Sequence, residues 1–149
     1  MSTEMLELMI DKFIFRVPKG LYFNEAGLWV RPEGDRARLG LSDFGQQRYG
    51  DIAFADVQPV GTVLKPGNEV ASIETIKVNV ILPSSVTGTI VEINPELEDE
   101  PERINEDPYG AGWLVVVELS DWETDKAKLL DAEAYYALVK KQAEEEMNA

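Results

Sequence analysis

The chain has 149 residues, of which 44% are hydrophobic and 28% are charged, and this length suits one domain that folds without covalent cross-links. It contains no cysteine and no histidine, which excludes disulfides and Cys-ligated metals and removes both the commonest metal ligand and the usual general base. The net charge of −14 disfavours a nucleic-acid partner, because phosphate binding needs clustered Lys and Arg. A self-sufficient enzyme or a metal site is therefore not expected.

The acidic surface has two interpretations that the sequence leaves open. It suits docking onto a basic partner surface, and it also suits solubility in a salty or alkaline medium. The opening residues 1–10 carry Glu4 and Glu7 and only a short, broken apolar run, unlike a signal peptide or a membrane span. We expect a cytoplasmic protein with no membrane partner.

The N-terminal residues give two conflicting periodicities. Apolar residues fall at helical spacing, and the same segment also alternates as a strand would, so the element type stays open. The helical set is Leu6, Met9, Ile10, Phe13 and Ile14, and the alternating set is Phe13, Phe15 and Val17. Pro18 and Gly20 end this element.

Residues 21–117 are typical of many short strands separated by turns. Residues 28–30 and 37–41 flank a turn rich in Pro, Gly and Asp, which predicts a hairpin. Ser42 is a candidate N-cap for a short helix that Gly50 ends. We expect two small sheets folded over each other with flanking helices.

The last third combines an acidic segment with a helix. Residues 94–112 are rich in Glu, Asp, Pro and Gly, which predicts a long surface loop. Its acidic part, residues 96–107, either docks onto a basic enzyme or is a solvated charged face. Asp131 is a candidate cap for a C-terminal helix that buries Tyr135, Leu138 and Val139, and residues 144–149 are expected to fray.

The most informative segment surrounds Lys77. Two predicted strands flank it, with Glu74 and Thr75 before it and Asn79 after it. A lysine at the tip of a hairpin is held away from the body of the domain, and a long acyl group on its amine has a reach on the order of 10–15 Å. Such a tether raises the local concentration of its reactive end near a docked partner.

Several short motifs occur in a fixed order along the chain, at residues 28–34 (LWVRPEG), 39–43 (LGLSD), 50–52 (GDI), 73–77 (IETIK), 85–88 (SVTG), 105–114 (NEDPYGAGWL) and 130–135 (LDAEAY). This ordered set resembles the lipoyl and biotinyl carrier domains, and among them the glycine-cleavage H-protein family, over about residues 21–139. A lone Glu-x-x-Lys means little, whereas the whole set, and residues 105–114 above all, is specific.

The resemblance implies a mainly β barrel-sandwich hybrid with a short internal helix and a C-terminal helix. It also implies a carrier that is not an enzyme, with lipoate attached covalently to Lys77. Biotin carriers flank their lysine with methionines, whereas Ile76 and Val78 stand here. Glu74 is either read by the attaching ligase or a solvated strand residue. Residues 1–20 are then an N-terminal extension and residues 21–149 the lipoyl-carrier domain.

Four positions depart from the family. Leu28 stands where the family usually has Glu, Gly27 and Phe44 stand where His is common, and Ile81 replaces an Asp four residues after the lipoyl lysine. A cationic methylamine against Leu28 and Ile81 would lose hydration without gaining an ion pair, at a cost on the order of a few kcal/mol. Neutral drift in a protein that keeps the family's role is the alternative.

These departures favour a related group, the H-protein-like lipoate-binding proteins of sulfur oxidation. That resemblance implies a shuttle for sulfur-bound intermediates, with a heterodisulfide-reductase-like complex and sulfur transferases as partners. One alternative is a glycine-cleavage H protein that carries an aminomethyl group and serves the P, T and L proteins. Either role requires a lipoate-protein ligase or lipoyl transferase. A further alternative is a non-lipoylated acidic adaptor.

Two aromatic residues of the specific motif also have two interpretations. Tyr109 and Trp113 could stack on a cofactor. Aromatic residues between glycines and a strand more often pack into the core, and we expect core packing for both.

Overall fold

The computed structural model describes residues 4–147, in which strands predominate. The strands are β1 (Met5–Ile10), β2 (Phe13–Pro18), β3 (Tyr22–Phe23), β4 (Leu28–Glu33), β5 (Arg36–Leu41), β6 (Ile52–Val57), β7 (Val63–Leu64), β8 (Glu69–Thr75), β9 (Asn79–Pro83), β10 (Gly88–Ile93) and β11 (Val115–Leu119). The α-helices are α1 (Asp43–Tyr49), α2 (Arg103–Glu106), α3 (Trp122–Lys126) and α4 (Ala132–Met147), and a 3₁₀ helix spans Pro95–Glu98.

Within residues 4–147 the strands form three antiparallel sheets. Six strands pair in the order β3-β4-β5-β11-β10-β7, three in the order β6-β8-β9, and β1 pairs with β2 alone. This confirms the predicted mainly β, barrel-sandwich architecture with a short internal helix and a C-terminal helix. No helix in this part of the chain is long and apolar enough to cross a membrane.

Two hydrophobic clusters hold the sheets and helices together. The main cluster packs the six-stranded sheet against the three-stranded sheet, with Leu39, Ile73 and Ile90 fully buried. The second cluster joins the N-terminal hairpin, one face of β4 and helix α4, and Phe15 and Tyr135 lie in it. Strand β4 is buried on both faces, because Leu28 and Val30 belong to the first cluster and Trp29 to the second.

The N-terminal segment, whose type the sequence left open, is a β-hairpin. Its strands turn at Asp11, which has a positive φ of 55°. The alternating pattern prevails because Phe15 and Val17 are buried against the second cluster while Arg16 between them remains exposed. Tertiary burial of one face of the hairpin therefore decides between the two periodicities.

The two predicted caps are confirmed. Ser42 Oγ accepts a hydrogen bond from Gly45 N at the start of α1, and Gly50 closes that helix with φ of 87°. Asp131 Oδ1 accepts one from Ala134 N at the start of α4. The expectation that residues 144–149 fray is wrong for the described part, because α4 continues to Met147 and Arg48 pairs with Glu146 at 2.8 Å; residues 148–149 lie outside the described chain.

The acidic segment of residues 94–112 is not the long surface loop that its composition predicts. It forms the 3₁₀ helix and α2, and it buries Leu97 and Ile104. The buried Asn94 side chain donates to the carbonyls of Ala111 and Trp113, both at 2.8 Å, which fixes the two ends of the segment together. Apolar anchors and one buried amide thus order a segment whose charged residues face outward.

Candidate functional site

Lys77 lies at the tip of the hairpin formed by β8 and β9. The two strands pair up to Glu74 and Asn79, and residues 76–78 form the connection. Because β8 is also paired to β6 on its other side, the hairpin projects from a three-stranded support. This is the geometry that the sequence predicted, a lysine presented at a bend by rigid strands.

Thr75 closes the turn that holds Lys77. Its backbone N–H donates to Val78 O at 2.9 Å, and its hydroxyl oxygen accepts from Lys77 N at 3.2 Å and from Val78 N at 3.1 Å. The hydroxyl also donates to Val78 O at 3.2 Å. Threonine and serine hydroxyls form such local turns, so Thr75 fixes the backbone of the turn at Lys77. Sequence reasoning named Thr75 only as a neighbour.

The tip is apolar and open around the amine. Ile76 is 97% exposed and Val78 is 43% exposed. Lys77 is itself exposed, and it has no ion-pair partner within residues 4–147. An amine held outside the domain, without a competing carboxylate, is accessible to an enzyme that acylates it.

Glu74 lies on the outer face of the three-stranded sheet. Its cross-strand neighbours are Phe54 and Asn79. Together with Phe54, Asp56 and Ser72 it lines an open cavity of about 320 Å³. Glu74 is exposed beside the turn, and its role in ligase recognition stays a prediction.

A second cavity lies directly beside Lys77. It has a volume of about 330 Å³, and its lining is Phe13, Phe15, Phe44, Gln47, Arg48, Lys77 and Glu146. The N-terminal hairpin, α1 and the end of α4 therefore meet beside Lys77. The sequence signal for this contact was the alternation of Phe13 and Phe15, but nothing local linked that strand to Lys77.

Leu28 and Ile81 do not present a common surface against which one group could lie, as the comparison with the family led us to expect. Leu28 has no exposed surface and belongs to the main cluster, whereas Ile81 is 63% exposed. Leu28 is buried because β4 is covered on both faces. Phe44, the third departure, faces the cavity beside Lys77. Phe44 therefore contributes to the cavity and Ile81 to the exposed surface, whereas Leu28 contributes to neither.

Tyr109 and Trp113 serve packing, as predicted. Both contact the second cluster, and the guanidinium of Arg38 lies 4.4 Å from the centre of the Trp113 ring. The Tyr109 hydroxyl donates to Arg16 O at 2.6 Å and accepts from Asp43 N at 3.0 Å. Desolvation by burial raises the pKa of Tyr109 well above its ordinary value.

Known proteins match the chain over most of its length. The family model described as glycine cleavage H-protein matches residues 21–142. Proteins named glycine cleavage system H protein are 43% identical over 83% of this chain in Brevibacillus brevis, covering 97% of that protein, and 40% identical over 80% in Bacillus subtilis, covering 93%. The relative from Bacteroides thetaiotaomicron is 41% identical over 82% of this chain and 96% of its own.

A solved structure agrees with these matches. The crystal structure of a glycine cleavage system H protein from Mycobacterium marinum superposes with a TM-score of 0.70 and 28% sequence identity. The match covers 81% of this chain and 97% of the chain from Mycobacterium marinum. Fold, sequence and the exposed lysine turn lead to the same conclusion, and the chain belongs to the glycine cleavage H-protein family.

Proposed function

We propose that this protein is a lipoyl carrier whose lipoyl group is attached to Lys77. Proteins of this family carry lipoate covalently on a lysine and serve partner enzymes without catalysing a reaction themselves. The observation that supports the proposal best is the turn at residues 76–78, where Thr75 holds Lys77 exposed at the tip of a paired hairpin.

The residues around Lys77 suit a covalent acyl group. When bound, lipoate supplies a disulfide that exchanges reversibly with thiols. Thr75 fixes the backbone at Lys77, where the acyl group would be attached. Ile76 and Val78 give the tip a small apolar surface, which can enter a partner's channel without the desolvation cost of charged neighbours. The chain has no cysteine, so no thiol of the carrier competes for the arm.

The cargo supported best is the aminomethyl group of glycine cleavage. The family match and the names of the relatives support this assignment. The partners are then the glycine cleavage P, T and L proteins together with a lipoate-protein ligase or lipoyl transferase. We place the carrier in the cytoplasm with these partners.

A second cargo is favoured by one observation, the apolar side chains near the arm. Phe44 lines the cavity beside Lys77, and Ile81 is exposed on the adjacent strand, at positions where the family resemblance leads us to expect His and Asp. Neither side chain can pair with a cationic amine. This surface suits an uncharged, sulfur-bound cargo, passed between a heterodisulfide-reductase-like complex and sulfur transferases.

The attachment site is tested by lipoylation in vitro. The wild-type chain, Lys77→Arg and Lys65→Arg are each incubated with lipoate, ATP and a lipoate-protein ligase, and intact masses are measured. Lys65 is a matched control because it is an exposed lysine in another turn. We expect one lipoyl addition to the wild type and Lys65→Arg, and none to Lys77→Arg. An unmodified wild type favours the acidic adaptor; addition to Lys77→Arg contradicts the site.

The cargo is tested with the lipoylated protein. Glycine, the P protein and labelled bicarbonate are used to measure carboxyl exchange, in parallel with a known H protein at the same concentration. Exchange at a comparable rate supports the aminomethyl role. Loss of exchange by more than a hundredfold, with lipoylation intact, would instead support the sulfur-bound cargo. Restoring polar residues with Phe44→His and Ile81→Asp should then raise the rate.

A further inference from the structure

The N-terminal hairpin of β1 and β2 has two edges, and within residues 4–147 the rest of the domain bonds to the edge on β2. Arg16 N donates to Asp43 Oδ2 at 2.9 Å, and Gln47 Nε2 donates to Ile14 O at 2.9 Å. The Tyr109 hydroxyl donates to Arg16 O at 2.6 Å. Backbone groups that β2 points away from β1 are therefore bonded by α1 and Tyr109, and the outer edge of β1 lies on the opposite side of the hairpin.

The register of the hairpin shows which backbone groups of β1 point outward. Residues 5–10 pair with β2 without a shift, and one position earlier Lys19 N donates to Glu4 O at 2.8 Å. Along an antiparallel pair, residues that exchange hydrogen bonds alternate with residues that do not. Since Glu4 bonds to Lys19, residues 6, 8 and 10 bond to β2, and the residues between them point their N–H and C=O groups outward. The outward residues are Met5, Glu7 and Met9.

This outer edge lacks the features that usually prevent a further strand from pairing. Within the described chain β1 pairs with no strand besides β2, so the N–H and C=O groups of its outward residues have no strand partner. Exposed edges are usually blunted by Lys, Pro or a bulge, whereas β1 has the sequence MLELMI and a regular register. Met9 is 71% exposed and Met5 is 39% exposed. A regular, partly apolar edge is a template for an added strand.

We propose that the outer edge of β1 is a docking surface for an extended, basic segment of a partner protein, which adds to the hairpin as a third strand. The segment has Lys or Arg opposite Glu7 and apolar side chains opposite Met5 and Met9. Main-chain hydrogen bonds supply the affinity and the alternate side chains supply the specificity, as in other complexes that form by strand addition. This surface belongs to the unmodified chain, so the proposal does not depend on lipoylation of Lys77.

The charge of Glu7 selects a basic strand and disfavours a second copy of this chain. Glu7 is exposed near the middle of the edge, and it forms no ion pair within residues 4–147, although Arg16 is its cross-strand neighbour. Two copies paired antiparallel about Glu7 would place like charges opposite each other, which is destabilising. Each copy also carries a net charge of −14. One residue thus favours the basic partner and acts against self-pairing.

The docking edge ends close to the cavity beside Lys77. Ile10 is the last residue of β1 and pairs with Phe13, which lines that cavity. A partner held on β1 would therefore have its own surface near Lys77, and such tethering raises the local concentration of one site at the other. The hairpin precedes residues 21–142, which the family model matches, so this surface is an addition to the shared domain.

The test titrates two capped pentapeptides, Val-Thr-Lys-Thr-Val and Val-Thr-Glu-Thr-Val, into the isotope-labelled full chain. Two-dimensional NMR follows the amide shifts and the exchange of amide protons with deuterated water. We expect the lysine peptide to shift and protect the amides of Met5, Glu7 and Met9, and to bind roughly tenfold more tightly than the glutamate peptide. Glu7→Lys should reverse this preference, because the glutamate peptide then places the opposite charge at the centre of the edge.

A second pair of variants separates backbone pairing from side-chain packing. Met9→Pro removes an outward N–H that makes no bond to β2, and edge strands accept proline at such positions. Met9→Ala is the matched control, because it removes the same side chain and keeps the N–H. The lysine peptide should bind Met9→Pro roughly fivefold more weakly than Met9→Ala, as expected for the loss of one hydrogen bond.

Three results would overturn the docking surface. They are the absence of shifts at the β1 amides with either peptide, equal affinity for the two peptides, and equal affinity of the two Met9 variants for the lysine peptide. Shifts of the same amides that depend on protein concentration, without peptide, would identify a second copy as the occupant and would also contradict the proposal. These results leave the carrier function untouched, because lipoylation of Lys77 is measured separately by intact mass.

Discussion

Two hairpins of similar size meet beside Lys77, and they are stabilised in opposite ways. The N-terminal hairpin buries one face, with Leu8, Phe15 and Val17 in the second cluster, and side chains of α1 bond to its backbone. The Lys77 hairpin buries its base in the main cluster but leaves its tip exposed, with Ile76 almost wholly in solvent.

The difference shows that a β-hairpin can either pack against a domain or hold a residue such as Lys77 exposed to solvent. Burial of alternate residues fixes the N-terminal hairpin against the domain. In the second, Thr75 orders the tip through its hydroxyl and backbone, so the backbone at Lys77 is fixed while its side chain stays exposed. The tip of the Lys77 hairpin should therefore tolerate substitution with little loss of stability, whereas the buried positions of the N-terminal hairpin should not.

The largest effect on stability is expected from truncating a buried side chain of the N-terminal hairpin. Phe15→Ala should lower the free energy of unfolding by about 3–5 kcal/mol, because it removes a buried ring that packs on Phe44. Ile76→Ala, on the exposed tip, should change it by less than about 0.5 kcal/mol. Denaturant unfolding followed by circular dichroism measures both. Equal losses would show that the two hairpins are not stabilised differently.

An intermediate effect is expected at alkaline pH, and it concerns the second cluster and not the tip. Burial raises the pKa of Tyr135 to about 12, although its hydrogen bond with Ser42 opposes the shift. The folded protein therefore keeps a proton that the unfolded chain releases near pH 10. The free energy of unfolding should fall as pH rises from about 10 to about 12, by about 2–3 kcal/mol for this residue.

Comparing the wild type with Tyr135→Phe checks this pH dependence. The variant loses the bond to Ser42 at every pH, but its stability should decline less steeply between pH 10 and 12. Tyr109, whose pKa burial also raises, contributes to the decline that remains. Parallel slopes for the two proteins would contradict a buried, protonated Tyr135.

The smallest effect on stability is expected at Thr75. Thr75→Val keeps the shape of the side chain and removes the hydroxyl that accepts from Lys77 N and Val78 N, which should cost about 1 kcal/mol. The rate of lipoylation in vitro should nevertheless fall several-fold, because the backbone at Lys77 is no longer held in one conformation. Thr75→Ser keeps the hydroxyl and should retain the rate. A Thr75→Val protein that is lipoylated at the wild-type rate would show that the turn need not be ordered.

Local signals in the sequence predicted the elements that local chemistry determines. The Ser42 cap, the Gly50 end of α1 and the Lys77 turn each depend on residues adjacent in the chain. In contrast, the type of the N-terminal element depended on which face is buried. That information lies in Phe44 and α4, far along the sequence, and both periodicities were compatible with the residues.

The site was predicted less completely than the fold for the same reason. The place of Lys77 at the tip of a hairpin was predicted, but the cavity beside it joins Phe13, Phe44 and Glu146, which no spacing rule connects. The expected role of Leu28 failed because β4 is covered on both faces, a fact of packing. The composition of the acidic segment predicted a surface loop, but buried apolar side chains such as Leu97 order the segment.

The central claim is that Lys77 carries the working group, and mass spectrometry of the protein isolated from its native host tests it most directly. After digestion, the peptide that contains Lys77 should carry the mass of one lipoyl amide, and peptides with Lys65 should be unmodified. The same Lys77 peptide found without any acyl group, or a lipoyl group found on another lysine, would contradict the account.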